Sequence, residues 1–410
     1  MLTELKAWLW LSRRVPIGPA WYLLEQFGTP EQVYFADEAA YKLLPKLTAT
    51  HRKQLSNKSL KEIDSILGDC DSADIHILTW QDADYPERLR NIDLPPLVLY
   101  YRGKLPRFDE EIAIAMAGTR KATPYGRKVA ADLAFQMTRL GGLVLTGIVE
   151  GCDEYAATAA LKAGGPLVCV VAGGVDVPYY STPSSQHLLD DVAACGCIIS
   201  QEPPKTPHLG DLFALRNRLL TALAVGTVCV EAPERSGVLG VAALALDQGR
   251  DVFAVPANID AETAKGTNHL LAAGEAICVC SGSDILDHYW ALFPQKKKSP
   301  PILTKQQTEH RLAPAPEAEP PAAKAEKAAA LVPDEPSLPA FDLNENPNQF
   351  TDDEIAVLRA LEQSDMVTDS IVIETGLPVR RVSATLTVLT IRGYVKQLPG
   401  GRFQAAVRLI

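Results

Sequence analysis

Cysteine, long apolar runs and secretory signals are all scarce in this sequence of 410 residues. Eight cysteines are too few for a disulfide framework in a chain of this length. No apolar run approaches the roughly 20 residues that a membrane-spanning helix needs. The amino terminus is amphipathic and lacks the small-residue cleavage site of a signal peptide. These absences predict a cytoplasmic protein without a membrane span.

The sequence also has few residue patterns that could bind a metal. The seven histidines form no pair at metal-ligand spacing. Cys195-x-Cys197 and Cys278-x-Cys280 could be two halves of a zinc site. Both pairs lie on apolar strand patterns, where cysteine is more simply a small buried residue. We therefore predict no metal and no cofactor.

Nucleotide-binding motifs are missing as well, since neither a Walker loop nor a G-x-G-x-x-G loop occurs, so ordinary ATP or NAD binding is not predicted. Glu150, Asp153 and Glu154 could form an acid/base group. They could equally be the acids that favour the positive end of a helix dipole. Because no partner nucleophile accompanies them, we predict that the protein is not an enzyme.

Proline and charge divide the chain. Residues 295–349 contain ten of the 30 prolines and predict a flexible Pro/Ala-rich linker. The net charge is −10, yet residues 375–410 carry six Arg or Lys and no Asp or Glu. Four regions are predicted: a helical domain at 1–65, an α/β domain at 75–294, the linker at 295–349 and a small basic domain at 350–410.

The helical domain is marked by two turn signals, at residues 16–19 and 27–30. This helix, turn, helix order resembles a helix-hairpin-helix or SAM-like bundle. The alternative is that it is only a packed helical lid.

The α/β domain shows seven short apolar runs with helical patterns between them, which predicts a doubly wound, Rossmann-like parallel sheet. The predicted strands are 112–117, 142–146, 166–172, 197–200, 227–232, 251–255 and 276–280. Loops at the carboxyl ends of such strands form a ligand crevice. Arg120 lies directly after the first run, and Arg216-Asn217-Arg218 precedes the fifth. Arginine with no acid beside it predicts a phosphate ligand there.

The last region predicts a winged helix, with helices at 352–363, 368–375 and 378–392 and a hairpin turning at 399–401. The buried stripe of the third helix is predicted to be Val379, Val382, Leu386 and Leu389. Its outward residues are predicted to be Arg380, Arg381, Ser383, Thr385 and Thr387. Weak DNA contact and protein docking both remain open for this domain.

The ordered segments AGTRKATPYGRKVAADLA, LTGIVEGCDEYAATAALKAGG, VAGGVD, FALRNR, VEAPERSGVL and KGTNHLLAAGEA resemble the DNA processing protein A family, also called DprA or Smf. The resemblance implies a dimeric, single-stranded DNA-binding protein that protects incoming DNA and helps to load RecA in natural transformation. The DNA-binding residues that follow are Gly118, Thr119, Arg120, Gly147, Gly151, Gly173, Gly174, Phe213, Arg216, Asn217, Arg218, Ser236, Gly237, Lys265 and Asn268.

The sequence departs from the family pattern at Glu150, Ala157, Val241 and Ala257. A carboxylate stands at Glu150 where relatives often carry a cation, which adds repulsion toward a phosphate. A rival interpretation is a phosphoribohydrolase-like enzyme on a related sheet. That class carries a P-G-G-x-G-T-x-x-E segment, which is absent here.

Overall fold

The computed structural model describes residues 2–179, 183–296, 340–341, 350–363, 366–398 and 402–409. Its contacts divide the chain into two units, Met1–Pro320 and Pro321–Ile410. Most of the linker predicted at 295–349 lies outside the described residues. Within that range, Ala340–Phe341 forms a strand, so regular structure begins before residue 350.

The first unit opens with six helices. They are α1 (Glu4–Arg14), α2 (Ile17–Phe27), α3 (Pro30–Phe35), α4 (Glu38–Lys42), α5 (Ala49–Ser56) and α6 (Lys61–Ser72). Gly28 ends α2 at a φ of 87°, and Thr29 starts α3 with a reciprocal cap to Gln32. The turn predicted at 16–19 was wrong in extent. Helix α2 already begins at Ile17, since Pro19 falls in the first turn, where its missing N–H costs nothing.

A nine-stranded sheet follows. Its strands are β1 (His76–Thr79), β2 (Val98–Gly103), β3 (Ala113–Ala117), β4 (Leu143–Thr146), β5 (Leu167–Val170), β6 (Cys197–Ser200), β7 (Gly226–Cys229), β8 (Asp251–Ala254) and β9 (Ile277–Cys278). All seven predicted strands are confirmed. Strands β1 and β2 were not predicted, and they add an antiparallel pair beside β6.

Helices cover both faces of this sheet. They are α7 (Glu87–Arg90), α8 (Pro124–Arg139), α9 (Cys152–Ala163), α10 (Pro183–Cys195), α11 (Leu212–Ala222), α12 (Gly237–Asp247), α13 (Lys265–Ala272) and α14 (Gly282–Leu286). Short 3₁₀ turns span Phe108–Glu110, Glu262–Ala264 and Pro294–Lys296. Apolar clusters cover both faces of the sheet, one large cluster on one face and two smaller ones on the other, as a doubly wound sheet requires.

The strand order fixes where a ligand crevice opens. It reads β1-β2-β6-β5-β4-β3-β7-β8-β9, and β3 to β9 all run parallel. From β3 the chain winds outward to β6, then returns to β7 on the other side of β3. The carboxyl ends of β3 and β7 therefore flank the topological switch point, the usual ligand position in such sheets.

The second unit contains α15 (Asp352–Gln363), α16 (Thr368–Thr375) and α17 (Val379–Ile391), with β10 (Ala340–Phe341), β11 (Met366–Val367), β12 (Val395–Leu398), β13 (Arg402–Ala405) and β14 (Arg408–Leu409). The three helices match the prediction closely, and the turn predicted at 399–401 lies outside the described residues. Val382, Leu386 and Leu389 are buried as predicted.

Two assignments on α17 were wrong. Val379 is 54% exposed, and Thr385 is only 8% exposed. Val379 is the first residue of the helix, before the packed turns begin, and Thr385 lies beside Leu386 on the inner face.

None of the described helices is long and apolar enough to cross a membrane.

Candidate functional site

A cleft of about 450 Å³ opens at the switch point. Loops after β3, β4 and β7 meet there with one side of α11. Its lining residues are Ala117, Gly118, Thr119, Arg120, Lys121, Val149, Glu150, Asp153, Phe213, Arg216, Asn217, Pro233, Arg235, Ser236, Gly237, Val238 and Val241. Four are cations and two are carboxylates, so the lining is positive in a chain whose net charge is −10. Such a field attracts an anion locally despite the negative total.

Arg120 is displayed on aromatic rings at the rim of the cleft. Its guanidinium carbon lies 4.7 Å from the centroid of Phe213 and 5.9 Å from that of Tyr179. The side chain is exposed. Stacking on aromatic faces holds a guanidinium in place and leaves its N–H groups available to a ligand.

A buried carboxylate anchors the loop that carries Arg120. Glu231 is 2% exposed and accepts hydrogen bonds from the Thr123 amide, the Thr123 hydroxyl and the Thr263 hydroxyl. Its backbone oxygen accepts the Thr119 amide at 2.8 Å. The end of β7 therefore fixes both ends of the Thr119–Thr123 loop.

Glycines let the first two loops approach each other closely. A Cβ at Gly118 would collide with the Cys152 side chain, and one at Gly147 would collide with the Arg216 guanidinium. Gly151 has a φ of 92°, which favours glycine, and a Cβ there would strike the backbone of Thr119. These three predicted residues shape the site through backbone packing.

Arg216 lies beneath the cleft and pairs with Asp153. Its terminal nitrogen is 3.0 Å from the Asp153 carboxylate, and its Nε donates to the Val170 carbonyl at 2.8 Å. The expectation of an arginine with no acid beside it is therefore wrong for Arg216, because the carboxylate comes from α9, some sixty positions away. Burial raises the pKa of Asp153, and the Arg216 charge opposes that rise.

Arg218 points elsewhere. Residues two apart on a helix face nearly opposite directions, so Arg218 leaves α11 on the side away from Arg216. Burial lowers the pKa of Arg218, and the Asp93 charge acts against this. The described lining of the cleft includes Phe213, Arg216 and Asn217 of this helix, but not Arg218.

The start of α12 supplies the wall near β7. Ser236 caps the helix by accepting the Val238 amide at 3.2 Å. Apart from its chain neighbours and its own helix, no described residue comes within 4 Å of the position that a Cβ on Gly237 would occupy, so this backbone is open. Val238 and Val241 make the wall apolar further along. A helix amino terminus suits an anion, and an apolar wall suits a sugar or base.

Besides Gly147, Gly151 and Arg218, four more predicted residues lie outside the described lining. The Gly173 amide donates to Nδ1 of His208 at 2.9 Å, and the Gly174 amide donates to Thr206 at 2.8 Å. Lys265 pairs with Glu262 at 2.7 Å. Asn268 bonds the backbone of Ala257 and Asn258 and so fixes the loop after β8.

Three lining or neighbouring residues were missed as site residues. Lys121 and Arg235 line the cleft as cations, and Tyr179 supports Arg120. Lys121 directly follows Arg120, and Arg235 directly precedes Ser236. Because both neighbours are predicted site residues, the loop positions of the two cations could have identified them. Tyr179 carried no such signal, because it reaches Arg120 from a distant loop.

The two other chemistries considered from sequence find no support in the fold. Cys197 begins β6 and Cys278 ends β9, six strand spacings or roughly 29 Å apart, so the two pairs cannot share a metal. Cys278 and Cys280 are exposed, so the expectation of buried cysteines is wrong for that pair. Among the carboxylates, Asp153 is engaged by Arg216. Burial and the Glu150 charge raise the pKa of Glu154, which lies outside the described cleft lining.

Comparison with known proteins agrees with this architecture. The profile of the family described as "DNA recombination-mediator protein A" matches residues 76–290, and that of the "DprA winged helix domain" matches 313–401. The chain belongs to the DprA/Smf family. The DNA processing protein DprA of Bacillus subtilis is 31% identical over 61% of this chain and 77% of its own length.

A second relative and a solved structure resemble this chain. Protein Smf of Synechocystis is 29% identical over 80% of this chain and 79% of its own length. The X-ray structure of DprA from Streptococcus pneumoniae superposes with a TM-score of 0.61 at 24% identity, covering 70% of this chain and 98% of that one. The latter shows the shared fold. Family members process DNA in recombination, and the Rossmann-like and winged-helix parts of this chain are those of the family.

Proposed function

We propose that the switch-point cleft binds the phosphate backbone of single-stranded DNA. The observation that carries this is the stacking of Arg120 on Phe213 and Tyr179, in the cleft that the open amino terminus of α12 also lines. Lys121 and Arg235 extend the positive lining. Val238 and Val241 offer an apolar surface to a sugar or a splayed base. A flexible single strand can present both kinds of group at once, whereas duplex stacking hides the bases.

The wider role that we propose rests on membership of the DprA/Smf family. We infer a cytoplasmic homodimer that protects incoming single strands and helps to load RecA onto them in transformation or recombination. We assign no reaction to the cleft, since Asp153, the buried carboxylate of its described lining, is paired with Arg216. The DNA-binding residues predicted from sequence, apart from Arg218, keep their roles as a proposal, with Arg120 at the centre.

Fluorescence anisotropy with labelled single- and double-stranded oligonucleotides at two salt concentrations tests this proposal. Single strands should bind more tightly, and affinity should fall as salt rises and counterions are released. Arg120→Ala should weaken single-strand binding about tenfold and make the salt slope shallower by about one.

Arg107→Ala is the matched control. Arg107 has a side chain that is 81% exposed. It lies before the amino end of β3, whereas the cleft lies at the carboxyl end of that strand. If both variants bind like the wild type, DNA is held elsewhere. Hydrolysis of nucleoside monophosphates by the wild-type protein would instead favour the phosphoribohydrolase alternative.

A further inference from the structure

Residues 203–208, which we call the strap, cross over the loop that follows β5. Thr206 accepts the Gly174 amide at 2.8 Å, and the Lys205 amide donates to the Asp176 carboxylate at 2.9 Å. A Cβ on Gly173 would lie 2.5 Å from the Thr206 carbonyl oxygen. The strap therefore packs directly on the backbone of this loop.

His208 ends the strap, and both of its ring nitrogens are engaged. Nδ1 accepts the Gly173 amide at 2.9 Å. Nε2 lies 2.8 Å from the Val177 carbonyl, which can only accept, so Nε2 carries the proton. The imidazole is thus neutral, and two backbone groups fix its orientation.

The imidazole supports the aromatic rings that display Arg120. Its centroid lies 5.5 Å from that of Tyr179, and Tyr179 meets Phe213 edge-on at 5.9 Å. Arg120 stacks on both of those rings. His208 also lines a narrow apolar recess that shares Val149, Phe213 and Arg216 with the cleft. A continuous chain of contacts therefore joins the strap to Arg120.

We propose that His208 is a positioning residue for single-stranded DNA, acting through Tyr179 and Phe213 on Arg120. This rests on the proposed function of the cleft. The imidazole makes no direct contact with Arg120, and its task is to hold the two rings at the angle that presents the guanidinium. Without the ring, Tyr179 can move into the space left in the recess, and Arg120 loses one of its two stacking partners.

The test is a double-mutant cycle on the full chain, read as single-strand affinity by anisotropy with a labelled thymidine oligonucleotide. His208→Ala should weaken binding about three- to tenfold in the wild-type background and hardly at all in an Arg120→Ala background. His208→Asn keeps an oxygen near the Nδ1 position for the Gly173 amide but not the ring beside Tyr179, so it should recover little of the loss. Tryptophan fluorescence during urea unfolding checks that each variant is folded.

The outcomes are distinct. Wild-type affinity in His208→Ala, or an equal loss in both backgrounds, would overturn the positioning role. If Arg120→Ala itself binds like the wild type, the proposed function fails, and with it the proposal on His208. Should His208→Ala not fold, Tyr179→Leu removes the middle of the contact chain and leaves the strap's hydrogen bonds in place. It should show the same non-additivity with Arg120→Ala, and additive losses would contradict the proposal.

Discussion

Two arginine–carboxylate pairs, one in each unit of the chain, differ in burial more than in geometry. Arg216 and Asp153 lie 3.0 Å apart under the cleft, with side chains 6% and 10% exposed. Arg381 and Asp353 lie 2.6 Å apart on the second unit, with side chains 60% and 20% exposed. The shorter pair is the more exposed one, where solvent screens the attraction.

The comparison shows that a basic sequence is not the same as a free cationic surface. The carboxyl-terminal region carries six basic residues after Thr375, yet Arg381 and Arg392 are paired with Asp353 and Glu354 from α15. Arg120, in an acidic chain, is instead stacked on two aromatic rings in a positive cleft. Whether an arginine can bind a ligand therefore depends on whether a nearby carboxylate already pairs with it.

The largest expected effect comes from breaking the buried pair. Arg216→Ala leaves Asp153 buried without its partner and should lower the free energy of unfolding by about 3–5 kcal/mol. Urea unfolding followed by tryptophan fluorescence measures this, since all five tryptophans lie between residues 8 and 290. Arg381→Ala should cost less than about 1 kcal/mol for the second unit, measured by calorimetry. Equal losses in the two units would mean that burial does not govern these pairs.

A smaller effect is expected from the carboxylate at the cleft. Glu150→Arg should tighten single-strand binding by roughly 1 kcal/mol, or about fivefold, because a phosphate then meets a cation in place of an anion. Glu154→Arg makes the same charge change outside the described cleft lining and serves as the control. If Glu150 instead steadies a neighbouring arginine, its replacement would weaken binding at both low and high salt.

Lys58 offers a test of how burial among aromatic rings changes the pKa of a cation. Its ammonium lies 4.7 Å from the centroid of Trp10, 5.3 Å from Tyr34 and 5.0 Å from Tyr41, and burial lowers the pKa of Lys58 to about 8.

Between pH 8 and the ordinary lysine pKa of 10.5, the unfolded chain binds more protons at Lys58 than the folded one. The free energy of unfolding should therefore rise with pH across this window, and the gain should be absent below it. The rings favour the charged form, so the rise will be modest. Thermal melts of wild type and Lys58→Met at several pH values should diverge there, and parallel curves would refute the assignment.

The smallest effect is expected at Arg218. The sequence predicts the same role for Arg218 as for Arg120, but the Arg218 side chain leaves α11 on the side away from Arg216. Arg218→Ala should keep single-strand affinity within about twofold, a difference below about 0.5 kcal/mol. A loss as large as that of Arg120→Ala would show that DNA also contacts the Asp93 side of the helix.

The regular elements were predictable where their signal is local. Seven apolar runs gave seven strands, and the helices at 352–363 and 368–375 have the predicted bounds. The strands that were missed, β1 and β2, mix apolar with polar residues and pair antiparallel at the sheet edge. The pairing of β2 with β6 depends on contacts about a hundred residues apart, which no local pattern contains.

The sequence by itself determined the order of strands and helices, the glycine-rich loops and the arginines that stand near strand ends, because hydrophobic period and turn chemistry act over a few residues. Only the tertiary structure decided what each arginine does. Asp153 reaches Arg216 from α9, Tyr179 reaches Arg120 from the loop after β5, and helix geometry turns Arg218 away. Side-chain partners are set by which elements pack together, and burial then fixes how strongly each charge is felt.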